Sequence, residues 1–254
     1  MNYAIVTGTS RGLGEACAKL LIESGMHVFG IARNKNAKLD HFAKENHVQF
    51  NHIECDLGEP SLLEKRMEEI LATLAHVEEV TCVYLINNAA TLEPIDRADE
   101  LTDAMAITLH TQVNLASPML ILNAVLHASK NNDWPVIAVN VTSGAGRRPI
   151  PGFSAYCSTK AGIDMYTETV AKELEISGSE NKVLGFSPGI MDTDMQEEIR
   201  NSNEAAFHEV ETFRAYKRNG HLRQVEEVSG ILVDILTDPA NAVSGKIYNV
   251  QDYF

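Results

Sequence analysis

Short apolar runs alternate with segments of helical periodicity along almost the whole chain, and this alternation constrains the fold more than any other feature. Several runs are continuously apolar, as expected for strands that are covered on both faces. The order predicts an α/β fold with a doubly wound, parallel, seven-stranded sheet and helices on both faces. The predicted strands occupy residues 3–7, 27–31, 48–53, 80–86, 136–141, 183–186 and 246–250.

The chain shows no sign of a boundary between domains. Its 254 residues contain no internal repeat, no low-complexity linker and no shift in composition. A chain of this length buries about three quarters of its unfolded surface without a metal or disulfide. We therefore predict a single Rossmann domain over residues 1–254. One long polar stretch, residues 191–222, is predicted to be a lid-like insertion that packs through apolar side chains such as Phe207 and Phe213.

The charge of the chain excludes two classes of partner. A net charge of -14 is unfavourable for a nucleic-acid or membrane surface, and no uninterrupted apolar run reaches membrane-spanning length. The four cysteines form no CxxC pair and are interpreted as reduced thiols, which favours a cytoplasmic protein. The nine histidines show no metal-binding spacing, so no metal site is predicted.

Glycines concentrate between the first predicted strand and the first predicted helix. Glycine there permits a tight turn and close approach of a pyrophosphate to the helix N-terminus. A plain glycine-rich turn is the alternative, but the strand–turn–helix context favours a dinucleotide site. The predicted cofactor contacts in this turn are Gly8, Ser10, Arg11, Gly12, Leu13 and Gly14.

The end of the second predicted strand bears on the choice of cofactor. Sites selective for NAD usually place an acidic side chain there, whereas this chain has Arg33 and Asn34. Guanidinium groups suit a phosphate dianion, so Arg33 together with Arg11 predicts NADP(H). The alternative is that Arg33 is simply a solvated residue at a strand end.

Further strand ends carry polar or small residues at the edge where ligands bind in such sheets. The carboxylate of Asp56 is a candidate acceptor for an adenine amino group, and Thr193 is a candidate partner for a carboxamide. Each of these segments is also compatible with an ordinary strand-end turn. The remaining predicted cofactor contacts here are Leu57, Asn88, Ala89, Pro188, Gly189, Ile190 and Met195, with Gly189 also assigned to the substrate.

Tyr156 and Lys160 are four residues apart at the start of a predicted helix, which places a phenol beside an ammonium group. The positive charge favours the phenolate, so we expect a tyrosine that exchanges a proton. Ser143 ends the fifth predicted strand and precedes Tyr156 by a short loop. Asn114 is followed by Pro118, which lacks the amide hydrogen that would reach its carbonyl, so we expect a kink that can hold a water.

Together these segments resemble the short-chain dehydrogenase/reductase family over essentially the whole chain. Its Asn-Asn-Ala-Gly motif is matched by residues 87–90, with Ala90 in place of glycine. The resemblance implies hydride transfer between NADP(H) and a carbonyl or alcohol. It also implies a catalytic tetrad in which Tyr156 would be the general acid, Ser143 would bind the substrate oxygen and Asn114 would hold a relay water. Lys160 would lower the tyrosine pKa, together with the positive ring of the cofactor, and would hold the nicotinamide ribose; Tyr156 and Lys160 are therefore also predicted cofactor contacts, and Tyr156 a substrate contact.

Within the family, residues 188–196 and the C-terminus resemble sepiapterin reductases and, equally, bacterial benzil reductases. Sepiapterin reductases bind the pterin through an acidic residue near the C-terminus. The corresponding position in this chain is Asn249, which lacks that charge, although Asp252 is close in sequence. A ketone or diketone is therefore the preferred substrate. The alternatives are a catalytically silent NADP(H)-binding sensor and a 3-oxoacyl-carrier-protein reductase that docks at Arg147 and Arg148. The resemblance also favours a homodimer or homotetramer.

Overall fold

A seven-stranded parallel sheet forms the centre of the protein, which a computed structural model describes over residues 1–254. The strands lie in the order β3-β2-β1-β4-β5-β6-β7, which is the doubly wound topology. The predicted fold class and all seven predicted strand regions are confirmed. The strands are β1 (Asn2–Thr7), β2 (His27–Ala32), β3 (Phe50–Glu54), β4 (Cys82–Asn87), β5 (Val136–Val141), β6 (Lys182–Ser187) and β7 (Ile247–Asn249).

Helices cover both faces of the sheet, because alternate side chains along each strand point to opposite faces. The helices are α1 (Gly12–Glu23), α2 (Ala37–Glu45), α3 (Pro60–Ala75), α4 (Ala104–Thr111), α5 (Ser117–Asn132), α6 (Ser154–Ile176), α7 (Asp194–Arg200), α8 (Val210–Arg218) and α9 (Val225–Thr237). On β1, for example, Ala4 and Val6 belong to one buried apolar cluster, with α1, α2 and α9, while Ile5 belongs to another, with α3, α5 and α6.

The strand order reverses at β1 and β4, and the chain locks their ends together at this point. The hydroxyl of Thr7, at the end of β1, accepts hydrogen bonds from the backbone amides of Asn88 and Ala89, both at 2.9 Å. A crevice at the carboxyl ends of the strands follows from such a reversal. The predicted ligand edge is therefore fixed by the backbone of the sheet itself.

A wide π-helical turn, Gln112–Ala116, joins α4 to α5 and contains Asn114. Pro118 has no amide hydrogen to offer the Asn114 carbonyl, and the Ser117 amide bonds instead to the carbonyl of Gln112. The expected kink is thus a π turn.

The continuous helical segment Ala104–Asn132 meets the length and hydropathy criteria of a membrane span, which contiguous apolar runs alone did not reveal. A third of its most apolar window is buried within the fold. Core helices of globular proteins pass the same test, and this segment packs against α3 and α6. Length and composition alone therefore do not distinguish a membrane-spanning helix from a core helix in this segment.

The predicted insertion, residues 191–222, is largely helical, since it contains α7 and α8. It packs down through a third apolar cluster, in which fully buried Phe207 stacks on Phe153 with ring centroids 4.4 Å apart. The predicted apolar side chains of the insertion therefore do anchor it beside the crevice. Its action as a lid remains a prediction.

Candidate active site

The glycine turn leaves open space and free amide hydrogens at the start of α1. Arg11 is the N-cap residue and makes no side-chain capping bond, so the first-turn amides have no side-chain partner. Gly12 has φ of 60°, and a Cβ added there would meet only the Thr193 side chain, at 3.9 Å. A Cβ on Gly14 would lie 2.3 Å from the Gly8 carbonyl oxygen. The residues present therefore fit a pyrophosphate at this helix N-terminus.

The two predicted phosphate-binding arginines lie in different surroundings. Arg33 is largely exposed, with its guanidinium 3.9 Å from a carboxylate oxygen of Asp56. Arg11 donates to the Asp194 carboxylate at 2.7 Å, which connects the glycine turn to α7. Asn34 is exposed beside Arg33. The structure thus places one loosely paired cation at the end of β2 and one cation across the crevice.

Several predicted contacts hold the crevice in shape. The side-chain amide of Asn88 donates to the Thr7 carbonyl at 2.9 Å and therefore braces the end of β1. The carboxylate of Asp56 accepts from the Gly58 amide at 2.8 Å, and the neighbouring Leu57 is buried. The backbone carbonyl of Ser10 accepts a hydrogen bond from the Asn36 side-chain amide at 3.3 Å, and Leu13 is buried under the turn. Direct contact of these residues with a cofactor remains a prediction.

A cavity of about 380 Å³ lies between the carboxyl edge of the sheet and α7–α8. Ser143 and Tyr156 line it together, as do all five residues predicted from the segment after β6: Pro188, Gly189, Ile190, Thr193 and Met195. Half of its 22 lining residues are apolar, and its size suits a small organic ligand. The structure therefore places the Ser143 and Tyr156 hydroxyls, both predicted to bind substrate, in the same cavity as the segment after β6 that is predicted to contact the cofactor.

Tyr156 is a buried phenol beside a buried amine. Burial raises the pKa of Tyr156 to about 12, and the neighbouring Ser143 hydroxyl offsets part of the rise. Lys160 donates to the Val141 carbonyl at 2.8 Å, and its Nζ lies 5.6 Å from the centre of the tyrosine ring. Desolvation is therefore the dominant effect on this pKa in the protein by itself, and the lowering expected from Lys160 together with a bound cofactor remains a prediction. The phenol is protonated at neutral pH.

Desolvation also acts on the amine. Burial lowers the pKa of Lys160 to about 8, against a smaller opposing effect of the Asp164 carboxylate one turn along α6. At neutral pH the amine remains mostly protonated. Its positive charge lies behind the cavity wall, since Lys160 packs under Tyr156 and does not line the cavity.

The side chain of Asn114 is fully engaged by its surroundings. Its Oδ1 accepts from the Thr91 amide and its Nδ2 donates to the Thr91 carbonyl, both at 2.8 Å. The second Nδ2 hydrogen points to Nε2 of His110, at 3.0 Å. The predicted relay water at the Asn114 backbone carbonyl remains a prediction, and only the π turn that accompanies it is seen.

Sequence reasoning missed three contributors to this site. His110 is fully buried, touches Asn114 and lies edge-on to the Tyr156 ring, with centroids 6.1 Å apart. Its spacing of four residues before Asn114 was the available signal. The pair Arg11–Asp194 across the crevice and the pair Arg148–Glu209, with two hydrogen bonds of 3.0 Å, had no sequence signal because they join distant segments.

Fold and site together define a dinucleotide-binding oxidoreductase site: a glycine turn at a helix N-terminus, with a tyrosine–serine pair in the adjoining cavity. A family profile described as short chain dehydrogenase matches residues 2–204. The chain belongs to the short-chain dehydrogenase/reductase family, as the sequence motifs predicted. Members of this family bind a nicotinamide cofactor, and the chain is an oxidoreductase of carbonyl or alcohol groups.

Three known proteins illustrate the relationship. Benzil reductase ((S)-benzoin forming) of Bacillus subtilis (strain 168) is 34% identical over 253 residues, which cover 100% of both chains. Sepiapterin reductase of Bos taurus is 29% identical over 213 residues, covering 80% of this chain and 77% of the relative. The crystal structure of the KRED1-Pglu enzyme has a TM-score of 0.80 and 26% identity, covering 98% of this chain and 100% of the other. The predicted resemblance to benzil and sepiapterin reductases is confirmed.

Proposed function

We propose that the protein is an NADPH-dependent carbonyl reductase that reduces a ketone or diketone, with Tyr156 as the general acid. The observation that carries this proposal is the shared cavity: the Tyr156 phenol and the Ser143 hydroxyl line it beside the segment Pro188–Gly189–Ile190. A carbonyl oxygen between the two hydroxyls would accept hydrogen bonds from both. Negative charge that develops on this oxygen is then stabilised by donors already in place.

The protein's own groups account for the proton side of the reaction. The raised pKa of Tyr156 keeps the phenol protonated at neutral pH, which is the form that can donate to the carbonyl oxygen. The ammonium of Lys160, behind the ring, stabilises the phenolate that donation would leave. NADPH, when bound, supplies the hydride, and its pyrophosphate and ribose would be held by the glycine turn and Lys160. Arg33 and Arg11 would hold the 2′-phosphate.

The cavity favours an aromatic diketone over a pterin. Phe153, Phe213 and Tyr216 line it, and none of its 22 lining residues is an aspartate or glutamate. Asn249 lines the cavity at the place expected for the pterin-binding acid, while Asp252 is exposed and outside it. An aromatic wall without a carboxylate suits two phenyl groups flanking a dione. The full-length similarity to benzil reductases supports the same class of substrate.

The structure gives little support to docking of an acyl carrier protein. Arg147 lies 3.5 Å from Asp164 and 3.6 Å from Glu168, and Arg148 binds Glu209. The two cations of the supposed docking patch are thus neutralised within the chain. A silent sensor also fits poorly, because binding alone requires no proton donor such as the Tyr156 phenol in the cavity.

The test is NADPH oxidation by wild-type protein and Tyr156→Phe with benzil, other diketones, sepiapterin and an acyl thioester. We expect benzil-type diketones to be preferred and the substitution to lower kcat by about 10³-fold, because the proton donor is lost. NADPH affinity should be unchanged. Tyr166→Phe, on the same helix but outside the cavity, is the matched control. Equal rates for Tyr156→Phe and wild type, or no wild-type turnover of any carbonyl, would disprove the reductase.

We further propose a cytoplasmic homo-oligomer that associates through an apolar face on α4, α5 and α6, called here the α4–α6 face. Its exposed members are Met105, Leu109, Leu120 and Met165. The helices α5 and α6 lie against each other there, since the Tyr166 hydroxyl donates to Asn123 at 2.6 Å. Large apolar side chains exposed together are typical of an interface.

A further inference from the structure

His110 is a buried histidine with a defined hydrogen-bonding state. Its Nδ1 lies 2.7 Å from the backbone carbonyl oxygen of Glu93, which can only accept. The hydrogen of the neutral ring must therefore be on Nδ1, and Nε2 must be an acceptor. The Asn114 amide donates to that nitrogen at 3.0 Å. The Thr159 hydroxyl lies 3.2 Å from the same nitrogen and also donates toward the Ala155 and Tyr156 carbonyls, both at 3.1 Å.

The position of this ring connects parts of the site that are distant in sequence. Its acceptor nitrogen fixes one hydrogen of the Asn114 amide, and the other hydrogen is bound by the Thr91 carbonyl. Its edge packs against the Tyr156 ring at an interplanar angle of 75°. Thr159 lies on α6 between Tyr156 and Lys160. Asn114 and Tyr156 thus share one rigid neighbour.

We propose that neutral His110 is a positioning residue: its Nε2 holds the Asn114 amide, and with it the π turn, in register with Tyr156 and Lys160. This inference rests on the proposed reductase function. A protonated ring would present a second N–H to the Asn114 amide, so the amide would lose its acceptor and turn away. The residue acts through Asn114 and Tyr156 and does not line the cavity.

The surroundings keep the ring neutral. Burial has the largest effect and lowers the pKa of His110, and the charge of Lys160 lowers it further, whereas hydrogen bonds to the Glu93 and Ala155 carbonyls act in the opposite direction. The titratable groups that face the ring are Tyr156 and Lys160 on α6 and Glu93 on the preceding loop. Since Tyr156 is uncharged at neutral pH, the neutral form of His110 persists to a lower pH than in an exposed histidine.

Two conservative variants separate positioning from packing. In His110→Gln, the side-chain amide lies near the place of Nε2, so its oxygen can accept the hydrogen bond from Asn114. In His110→Asn, the shorter side chain reaches only the place of Nδ1, so it can donate to the Glu93 carbonyl but cannot accept from Asn114. We expect His110→Asn and His110→Phe to lower kcat about tenfold, the equivalent of one lost hydrogen bond, with KM unchanged. His110→Gln should keep kcat close to wild type.

The chain supplies a matched control. His127 and Asn131 on α5 make the same contact, Nε2 to Nδ2 at 3.0 Å and four residues apart, but are exposed. His127→Phe should leave both kinetic constants unchanged. The proposal is wrong if His110→Asn retains full kcat, or if kcat falls in all three His110 variants in parallel with their melting temperatures.

Two further readouts do not depend on a loss of activity in a variant. The wild-type kcat should fall at acid pH as Nε2 is protonated, and this fall should be absent from the pH profile of His110→Gln. In ¹⁵N spectra of the histidines, the signals that disappear in His110→Gln should show the Nδ1–H tautomer at pH 7. An Nε2–H tautomer or a charged ring would overturn the assignment even if the enzyme proved inactive, while inactivity alone would overturn the proposed function.

Discussion

The buried amine of Lys160 should cost the folded protein stability, with a defined pH dependence. Its pKa falls from 10.5 to about 8 on folding, so between these values the unfolded chain binds more protons. Stability therefore rises with pH through this window, and the penalty is constant below about pH 8. We expect Lys160→Met to raise the free energy of unfolding at pH 7 by about 1–3 kcal/mol, despite the lost bond to Val141.

Urea unfolding at pH 7 and pH 10 measures this effect. The advantage of Lys160→Met should shrink toward pH 10, because the wild-type amine is then neutral in the folded state. Lys172→Met, exposed at the distal part of α6, is the control and should change little at either pH. A Lys160→Met protein that is less stable than wild type at pH 7 would show that desolvation is not the dominant effect.

Arg33 should discriminate between the two nicotinamide cofactors. It is loosely paired and exposed at the end of β2, where a 2′-phosphate would lie. We expect Arg33→Ala to weaken NADPH binding about tenfold while leaving NADH binding unchanged, with a smaller effect at high salt. Fluorescence titration of both cofactors measures this, with Lys172→Ala as a charge-matched control. An equal loss for both cofactors would contradict the assignment to NADP(H).

At the residue scale, sequence reasoning named the candidate members of the tetrad but not what surrounds them. Tyr156, Lys160 and Ser143 could be named because spacing and strand-end position carry their signal. His110 could not be named with confidence, because a lone histidine on a helix is most often a packing residue. The burial that raises the tyrosine pKa in the protein by itself could also not be predicted, since it depends on contacts between segments far apart in the chain.

At the element scale, the strands were predictable because short, continuous apolar runs flanked by turns are typical of buried strands in an α/β protein. The insertion was less predictable. Its polar composition gives little indication of where α7 and α8 begin and end. Both helices are short and are stabilised by contacts of Phe207 and Phe213 with the rest of the protein. The kink at Pro118 was predictable from the missing amide, but the π turn depends on how Ser117 finds an alternative acceptor.

The Arg148–Glu209 pair should hold the insertion against the loop after β5. It makes two hydrogen bonds of 3.0 Å, and Arg148 also lines the cavity. The pair is partly exposed, so its contribution is about 1 kcal/mol or less. We therefore expect Arg148→Ala and Glu209→Ala each to raise the KM for the ketone about twofold to fivefold, with kcat little changed.

A double-mutant cycle distinguishes the pair from two separate effects. If the pair closes the insertion, the double variant should have the same KM as either single variant. Arg148 lowers the pKa of Glu209 below its ordinary value, so the pair persists at neutral pH and is lost only as acid protonates the carboxylate. Additive increases in KM would show that Arg148 and Glu209 act independently.

At the scale of the whole molecule, charge and apolar surface have different consequences. A net charge of -14 keeps copies of the chain apart unless a specific surface brings them together. The α4–α6 face is the surface proposed for this role, because Met105 and Met165 expose most of their side chains there. Its helices also carry Asn114 and Tyr156, so association would stiffen the elements that hold the tetrad.

We expect wild-type protein to sediment as a dimer or tetramer and Leu120→Glu/Met165→Glu to sediment as a monomer. Two carboxylates on each copy would meet their symmetry mates across the face, and burying them unpaired is strongly unfavourable. Ile176→Glu is the control, since Ile176 is more exposed than Leu120 and Met165 but lies at the far end of α6. Circular dichroism should show all three proteins folded.

A Leu120→Glu/Met165→Glu variant that keeps the wild-type sedimentation coefficient would exclude the α4–α6 face as the interface. If instead the monomer forms and loses kcat while still binding NADPH, the tetrad depends on the neighbouring copy to hold α5 and α6 in place.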